Sequence, residues 1–99
     1  MTINIQYLHM STSEAMNSYV SERLSKLAKK YDWIISAEVV FEHIANEKED
    51  GKVCKIELSA PGPRIFASSQ ERNYELAVKN TINDLDIQLK KRKHTFSHS

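Results

Sequence analysis

Residues 2–8, TINIQYL, alternate polar and apolar, which puts Ile3, Ile5 and Tyr7 on one face of a short strand. The period then lengthens. From 13 to about 30, Met16, Val20, Leu24, Leu27 and Tyr31 recur at spacings of 4, 4, 3 and 4, the apolar stripe of a helix that packs on a sheet. STSE at 11–14 has the form of a capping box, with Ser11 accepting a free amide hydrogen and Glu14 reaching back. WIISAEVVFEHI at 33–44 is β-branched and aromatic, with Ala37, Val39 and Phe41 on one face of a second strand. A polar connection follows, containing Asp50-Gly51, a hairpin signal. VCKIELSA at 53–60 alternates again with Cys54, Ile56 and Leu58 facing one way; PGP at 61–63 turns the chain, and RIFAS gives a fourth strand.

SSQE at 68–71 repeats the capping-box spacing between Ser68 and Glu71. Beyond it Tyr74, Ala77, Val78, Thr81, Ile82, Leu85 and Leu89 share one face of a second helix that runs to about residue 93, with TFSHS as a frayed tail. The order β-α-β-β-β-α predicts an α+β fold: a four-stranded mixed sheet with both helices on one face and the other face open. The last three strands are antiparallel through short connections, whereas the first, returning through a helix, pairs in parallel by a right-handed crossover. This makes residues 1–94 one domain and 95–99 a disordered tail.

Composition narrows the class. The chain has 99 residues, a 40% hydrophobic fraction, 2 Gly and 2 Pro, which suits one globular core and leaves no room for two. One cysteine, Cys54, excludes an intrachain disulfide framework. No basic leader precedes the first strand, and no run approaches the roughly 20 apolar residues of a membrane span, so the expected location is the cytoplasm and no membrane partner is expected. Net charge is only +1, but residues 1–50 carry 5 Lys/Arg against 8 Asp/Glu and residues 51–99 carry 9 against 5, so the sign changes along the chain from −3 to +4.

Enzyme signatures are missing: no Gly-rich phosphate loop, no His-Glu-x-x-His, no Cys-x-x-Cys and no nucleophile elbow. No cofactor, metal or small-molecule substrate is expected. The four histidines are scattered, with only His94 and His98 at helical ligand spacing, in the tail. Cys54 falls on the apolar face of a strand as packing. Glu47, Glu49 and Asp50 share a loop, where a charge run reads as solvated surface and a weak cation site is the alternative. Trp33 and Phe41 read as core.

Basic residues are the informative ones. Lys90, Lys91, Arg92 and Lys93 follow each other at a helix end, where cations complement the macrodipole, although one or two suffice for that. The other reading is contact with phosphate. Tyr19, Arg23, Lys26 and Lys30 form a second stripe at spacings of 4, 3 and 4; it is either a snorkelling rim around the core or an aromatic-and-cation surface for nucleic acid. With both helices on one face, the two clusters can form one concave positive surface suited to RNA backbone and shape. Arg64 and Phe66 share the other face of the fourth strand and either extend that surface or decorate the open sheet.

Taken together, INIQYLHMSTSEAMNSYVSERLSKLAKKYDWI, CKIELSAPG and RIFASSQERNYELAVKNTINDLDIQLKKRK resemble the short ribosome hibernation promoting factor and ribosome-associated inhibitor family, long also called sigma-54 modulation proteins, over residues 2–94. The resemblance implies a double-stranded-RNA-binding-domain-like fold, and the free protein is expected to be a non-enzymatic monomer. The resemblance also implies a site on the small ribosomal subunit between head and body, occupying the mRNA channel and the A and P tRNA sites in stationary phase. By helix and charge, it carries rRNA contacts onto Arg23, Lys26, Lys29 and Lys30 of the first helix and Lys79, Lys90, Lys91, Arg92 and Lys93 of the second. The family's Asp-(Met or Ile)-Tyr-Ala-Ala-Ile-Asp run is replaced here by Asn73 to Lys79 with the aromatic displaced by one position, and the extra C-terminal domain of long-form members is not expected. Leu76 and Ile87 lie off the core stripe and read as a contact surface. The alternative function is a protein-interaction module acting on transcription machinery through the open sheet and these two residues.

Overall fold

The computed structural model describes residues 1–45 and 49–97, with Ser97 in its backbone only. Six elements follow in the expected order: β1 (Thr2–Leu8), α1 (Glu14–Lys30), β2 (Ser36–His43), β3 (Lys52–Ser59), β4 (Ile65–Glu71) and α2 (Tyr74–Ser97). The sheet runs β1-β2-β3-β4, with β1 parallel to β2 and the other pairs antiparallel. Parallel pairing of Thr2 with Ser36 needs the α1 crossover, whereas β2–β3 and β3–β4 are hairpins.

Strand alternation sorts the two faces of the sheet. Ala37, Val39 and Phe41 of β2, Cys54, Ile56 and Leu58 of β3, and Ile65 and Ala67 of β4 all face the helices. Val20, Leu24 and Leu27 of α1 meet them, with Ala77, Val78, Ile82, Leu85 and Leu89 of α2. Tyr7 of the edge strand stacks on Phe41 with ring centroids 5.3 Å apart, and its hydroxyl lies 2.8 Å from both Ser13 O and Asn17 Oδ1, tying β1 to the start of α1. Thr81, fully buried in α2, reaches Ala77 O at 2.7 Å and Cys54 O at 3.3 Å, so its hydroxyl is satisfied within the core. Burial pushes the Cys54 thiol up to about 12, which keeps it a neutral packing group.

Both expected capping boxes are displaced. Ser13, not Ser11, caps α1: its backbone is extended and its Oγ accepts from Met16 N at 3.2 Å. Ser68 and Glu71 belong to β4, where they pair with Lys55 and Lys52 of β3, so the strand extends to Glu71 and not only to Ser68. The cap of α2 is Asn73, whose Oδ1 accepts from Leu76 N at 2.7 Å. β2 begins later than the β-branched run suggests, because Ile34 N donates back to Tyr31 O at 3.2 Å in a turn that leaves Trp33 half-buried and Ile34 buried.

At 24 residues α2 is about 36 Å long, against about 27 Å for an eight-residue strand, so its end overhangs the sheet. The overhang is helical through Ser97, including residues expected to fray. Phe96 meets Trp33 edge-on at 5.0 Å, and Trp33 in turn meets Tyr31 at 5.8 Å. His98, and Glu47 of the candidate cation loop, lie outside the described residues.

The caps give a direct test. Ser13→Ala and Asn73→Ala should each cost about 1 kcal/mol in urea unfolding, whereas Ser11→Ala and Ser68→Ala should change stability by less than about 0.5 kcal/mol. A cost at position 11 with none at position 13 would place the cap of α1 at Ser11.

Candidate nucleic-acid interface

The two helices meet along a groove whose walls are set by helical phase. Packing of Val20, Leu24 and Leu27 turns Tyr19, Arg23, Lys26 and Lys30 towards the flank of α1 that faces α2. Within that row the Arg23 guanidinium sits 5.3 Å from the Tyr19 ring centre and donates to its hydroxyl at 3.2 Å, while Lys26 pairs with Glu22 at 3.2 Å in open solvent. Arg23, Lys26 and Lys30 line one end of the groove together with Asn83 and Asp86 of α2. Lys30, Lys90, Lys93 and His94 line the other end, next to Tyr31.

The four consecutive cations of α2 do not act as one cluster, because successive residues of a helix are about 100° apart. Lys93 faces the groove, Lys90, Ile87 and His94 form its edge and border both the groove and the outer side, and Lys91 stands on the outer side alone. Arg92 points the other way: its Nη1 donates to Pro61 O at 2.8 Å, and its guanidinium lies over Gly62. A Cβ at position 62 would sit 3.0 Å from that Nη1, a side-chain end able to move aside, and it is the φ of +96 at Gly62 that calls for glycine in this turn.

The remaining candidates are dispersed. Lys29 is exposed and lines none of these groove segments, whereas Lys79, also exposed, shares the helical phase of Asn83, Asp86 and Lys90 and stands one turn before Asn83, beyond the Arg23 end of the groove. The structure therefore brings together Arg23, Lys26, Lys30, Lys90 and Lys93, sets Lys79 on the same flank of α2 one turn further on, and turns Lys29, Lys91 and Arg92 away from the groove walls. Arg64 pairs with Glu57 at 3.5 Å, with Phe66 exposed nearby, on the open sheet face. Leu76 is half-buried, and Ile87, 57% exposed, is the apolar residue of the groove edge.

Asp86 is the groove residue that the charge pattern did not single out. Its Oδ1 accepts from the Tyr31 hydroxyl at 2.6 Å and from Lys30 Nζ at 3.1 Å, and its Oδ2 accepts from Lys30 Nζ at 2.9 Å. Partial burial pushes the carboxyl up, but the bonds from Tyr31 and Lys30 and the charges of Lys30 and Lys90 outweigh it and hold Asp86 below its ordinary value. The same hydrogen bond raises Lys30, and burial followed by the Asp86 bond raises Tyr31, so at neutral pH the trio is ammonium, phenol and carboxylate. Among the described residues no group of three or more His, Cys, Asp or Glu could hold a metal ion, and no helix is long and apolar enough to cross a membrane.

A mixed four-stranded sheet carrying two helices, with a cation-lined groove where the helices meet, defines an α+β domain built to present charge on one side. Residues 3–96 match the family model described as Sigma 54 modulation protein / S30EA ribosomal protein, and the chain belongs to that family, in keeping with the resemblance of its sequence. It is similar to the ribosome hibernation promoting factor of Pseudomonas putida, 29% identical over 93 residues that cover 94% of this chain and 87% of that protein. The protein of the same name from Azotobacter vinelandii is 28% identical, covering 94% and 83%. A ribosomal subunit interface protein from Coxiella burnetii shares the fold with a TM-score of 0.84 at 21% identity, covering 95% of this chain and 99% of that one. The N-terminal domain of Thermus thermophilus Protein Y does so with a TM-score of 0.76 at 21% identity, covering 92% and 98%.

Because Asp86 titrates lower in the folded chain than its unfolded value near 3.9, the stability it confers is complete above about pH 4 and is lost as pH falls through the lowered value. Tyr31→Phe should therefore cost about 1.5 kcal/mol at neutral pH, and the gap to the parent should narrow on acidification below pH 4. Denaturant unfolding of both proteins across that range reads the difference; a gap that does not change with pH would mean that the carboxylate charge plays no part.

Proposed function

We propose that this protein is a ribosome-binding hibernation factor that docks its interhelical groove on the rRNA of the small subunit and blocks translation by occupying the mRNA channel and the A and P tRNA sites in stationary phase. The observation that carries the reading is the meeting of two cationic rows, Arg23, Lys26 and Lys30 from α1 and Lys90 and Lys93 from α2, on the walls of one groove. Family membership and relatives named ribosome hibernation promoting factor support it.

The mechanism is electrostatic and steric. Each phosphate neutralised by a lysine or arginine releases condensed counterions, which anchors the domain as a wedge where mRNA and tRNA would lie. A-form RNA exposes phosphates and ribose along a wide, shallow minor groove, and a rigid pair of helices reads that shape without needing base edges. Lys29, Lys79 and Lys91 add contacts at the rim, while Arg92 holds the end of α2 on the PGP turn. The protein acts as a monomer in the cytoplasm, without cofactor or bond chemistry.

Sedimentation with purified ribosomal subunits at several salt concentrations tests this. The protein should travel with the small subunit, weakly at high salt, and replacing Lys90, Lys91, Arg92 and Lys93 together by alanine should largely abolish the association. Among single variants, Lys90→Ala and Lys93→Ala should each reduce the slope of log affinity against log salt by about 0.7 to 0.9, whereas Arg92→Ala should lower affinity with the slope retained. A slope loss at Arg92 equal to that at Lys90 would make it a phosphate contact. Absence of subunit binding at every salt concentration would favour a protein-docking module that uses the open sheet face and Ile87.

A further inference from the structure

A polyanion-binding groove with a carboxylate in its middle is working against itself unless the carboxylate selects something. Asp86 lies between the two cationic ends, and Lys30, which lines both, is the residue it holds. A phosphate placed over this point meets a fixed negative charge within the groove. A hydrogen-bond donor meets an acceptor instead. A carboxylate has about four lone-pair positions, and among the described residues three hydrogen bonds reach this one: two at Oδ1, from Tyr31 and Lys30, and one at Oδ2, from Lys30. Oδ2 therefore has capacity left, on a side chain 34% exposed to the groove.

The RNA backbone carries a donor that the DNA backbone lacks, the ribose 2′-hydroxyl. We propose that Asp86 is a specificity-determining residue of the groove: its Oδ2 accepts from a ribose 2′-hydroxyl while phosphates on either side lodge at the Arg23/Lys26 and Lys90/Lys93 ends, and its charge rejects polyanions that offer no such donor. The inference deepens the ribosome-binding reading and rests on it. Specificity here comes from a repulsive element set among attractive ones, since five cations alone would hold any polyanion. Tyr31 and Lys30 give the device its rigidity, because their three hydrogen bonds hold the carboxylate in one orientation.

The test compares the parent, Asp86→Asn and Asp86→Glu, each binding three probes: small ribosomal subunits, a duplex DNA oligonucleotide and heparin. Asparagine keeps an amide oxygen for the Tyr31 hydroxyl, so the fold is retained, and presents an NH₂ where Oδ2 stood; melting curves confirm folding before binding is read. Asp86→Asn should strengthen binding to DNA and heparin by roughly two- to fivefold, the scale of one partly exposed charge, while binding to the subunit stays the same or weakens. Asp86→Glu, with the charge retained, should stay near the parent in its ratio of subunit to DNA affinity. Equal strengthening on all three probes overturns the proposal, because the charge then acts only in bulk. Equal weakening also overturns it and makes Asp86 a strut between the helices. A parent that does not bind subunits at all overturns the ribosome-binding reading itself, a result distinct from an unchanged affinity ratio in a parent that does bind.

Discussion

Burial of Leu85 and Leu89 sets the rotation of α2 about its axis, and the charged surface follows from that phase. With both side chains fully buried against the sheet, the next four residues fan out through fixed directions. Two of them face α1, one faces outward, and one faces the turn between β3 and β4. Burial of Leu24 and Leu27 sets α1 in the same way and brings Arg23, Lys26 and Lys30 to the opposite wall. A slip of one residue in either helix would rotate its row by about 100° and break up the groove, so the core packing and the charge pattern are one constraint seen from two sides.

That constraint explains what could be read from the chain. Helical and strand periods report which residues are buried, and burial fixes the faces, so the element order, the mixed sheet and the two cationic rows were all legible. A local pattern misleads where a tertiary partner competes with it. SSQE has the letters of a capping box, but β3 offers Lys55 and Lys52 as strand partners across the ladder, and pairing carries the chain on to Glu71 before Asn73 starts the helix. STSE holds two candidate serines, and the bond from Tyr7 to Ser13 O fixes the turn around the second. The end of α2 reads as a polar tail because Phe96 is isolated in sequence; its partner Trp33 is 63 positions away.

The candidate site divides along the same line. Rows of cations announce themselves through spacing alone, but Asp86 is defined by Lys30 and Tyr31 from another helix, and Arg92 by a carbonyl 31 residues earlier. No one-dimensional pattern carries these pairings. The i, i+4 step from Asp86 to Lys90 was the one local trace of the acidic centre of the groove.

The contact between Arg92 and Gly62 also bears on how this sequence can change. A side chain at position 62 would displace the guanidinium, and a short side chain at position 92 would leave the Pro61 carbonyl to water. Gly62 is kept by its own backbone conformation whatever stands at 92, whereas Arg92 is kept only by this bond, so position 92 is the freer of the two to change. A turn of two prolines around a glycine is tied by that bond to one position of a helix thirty residues downstream.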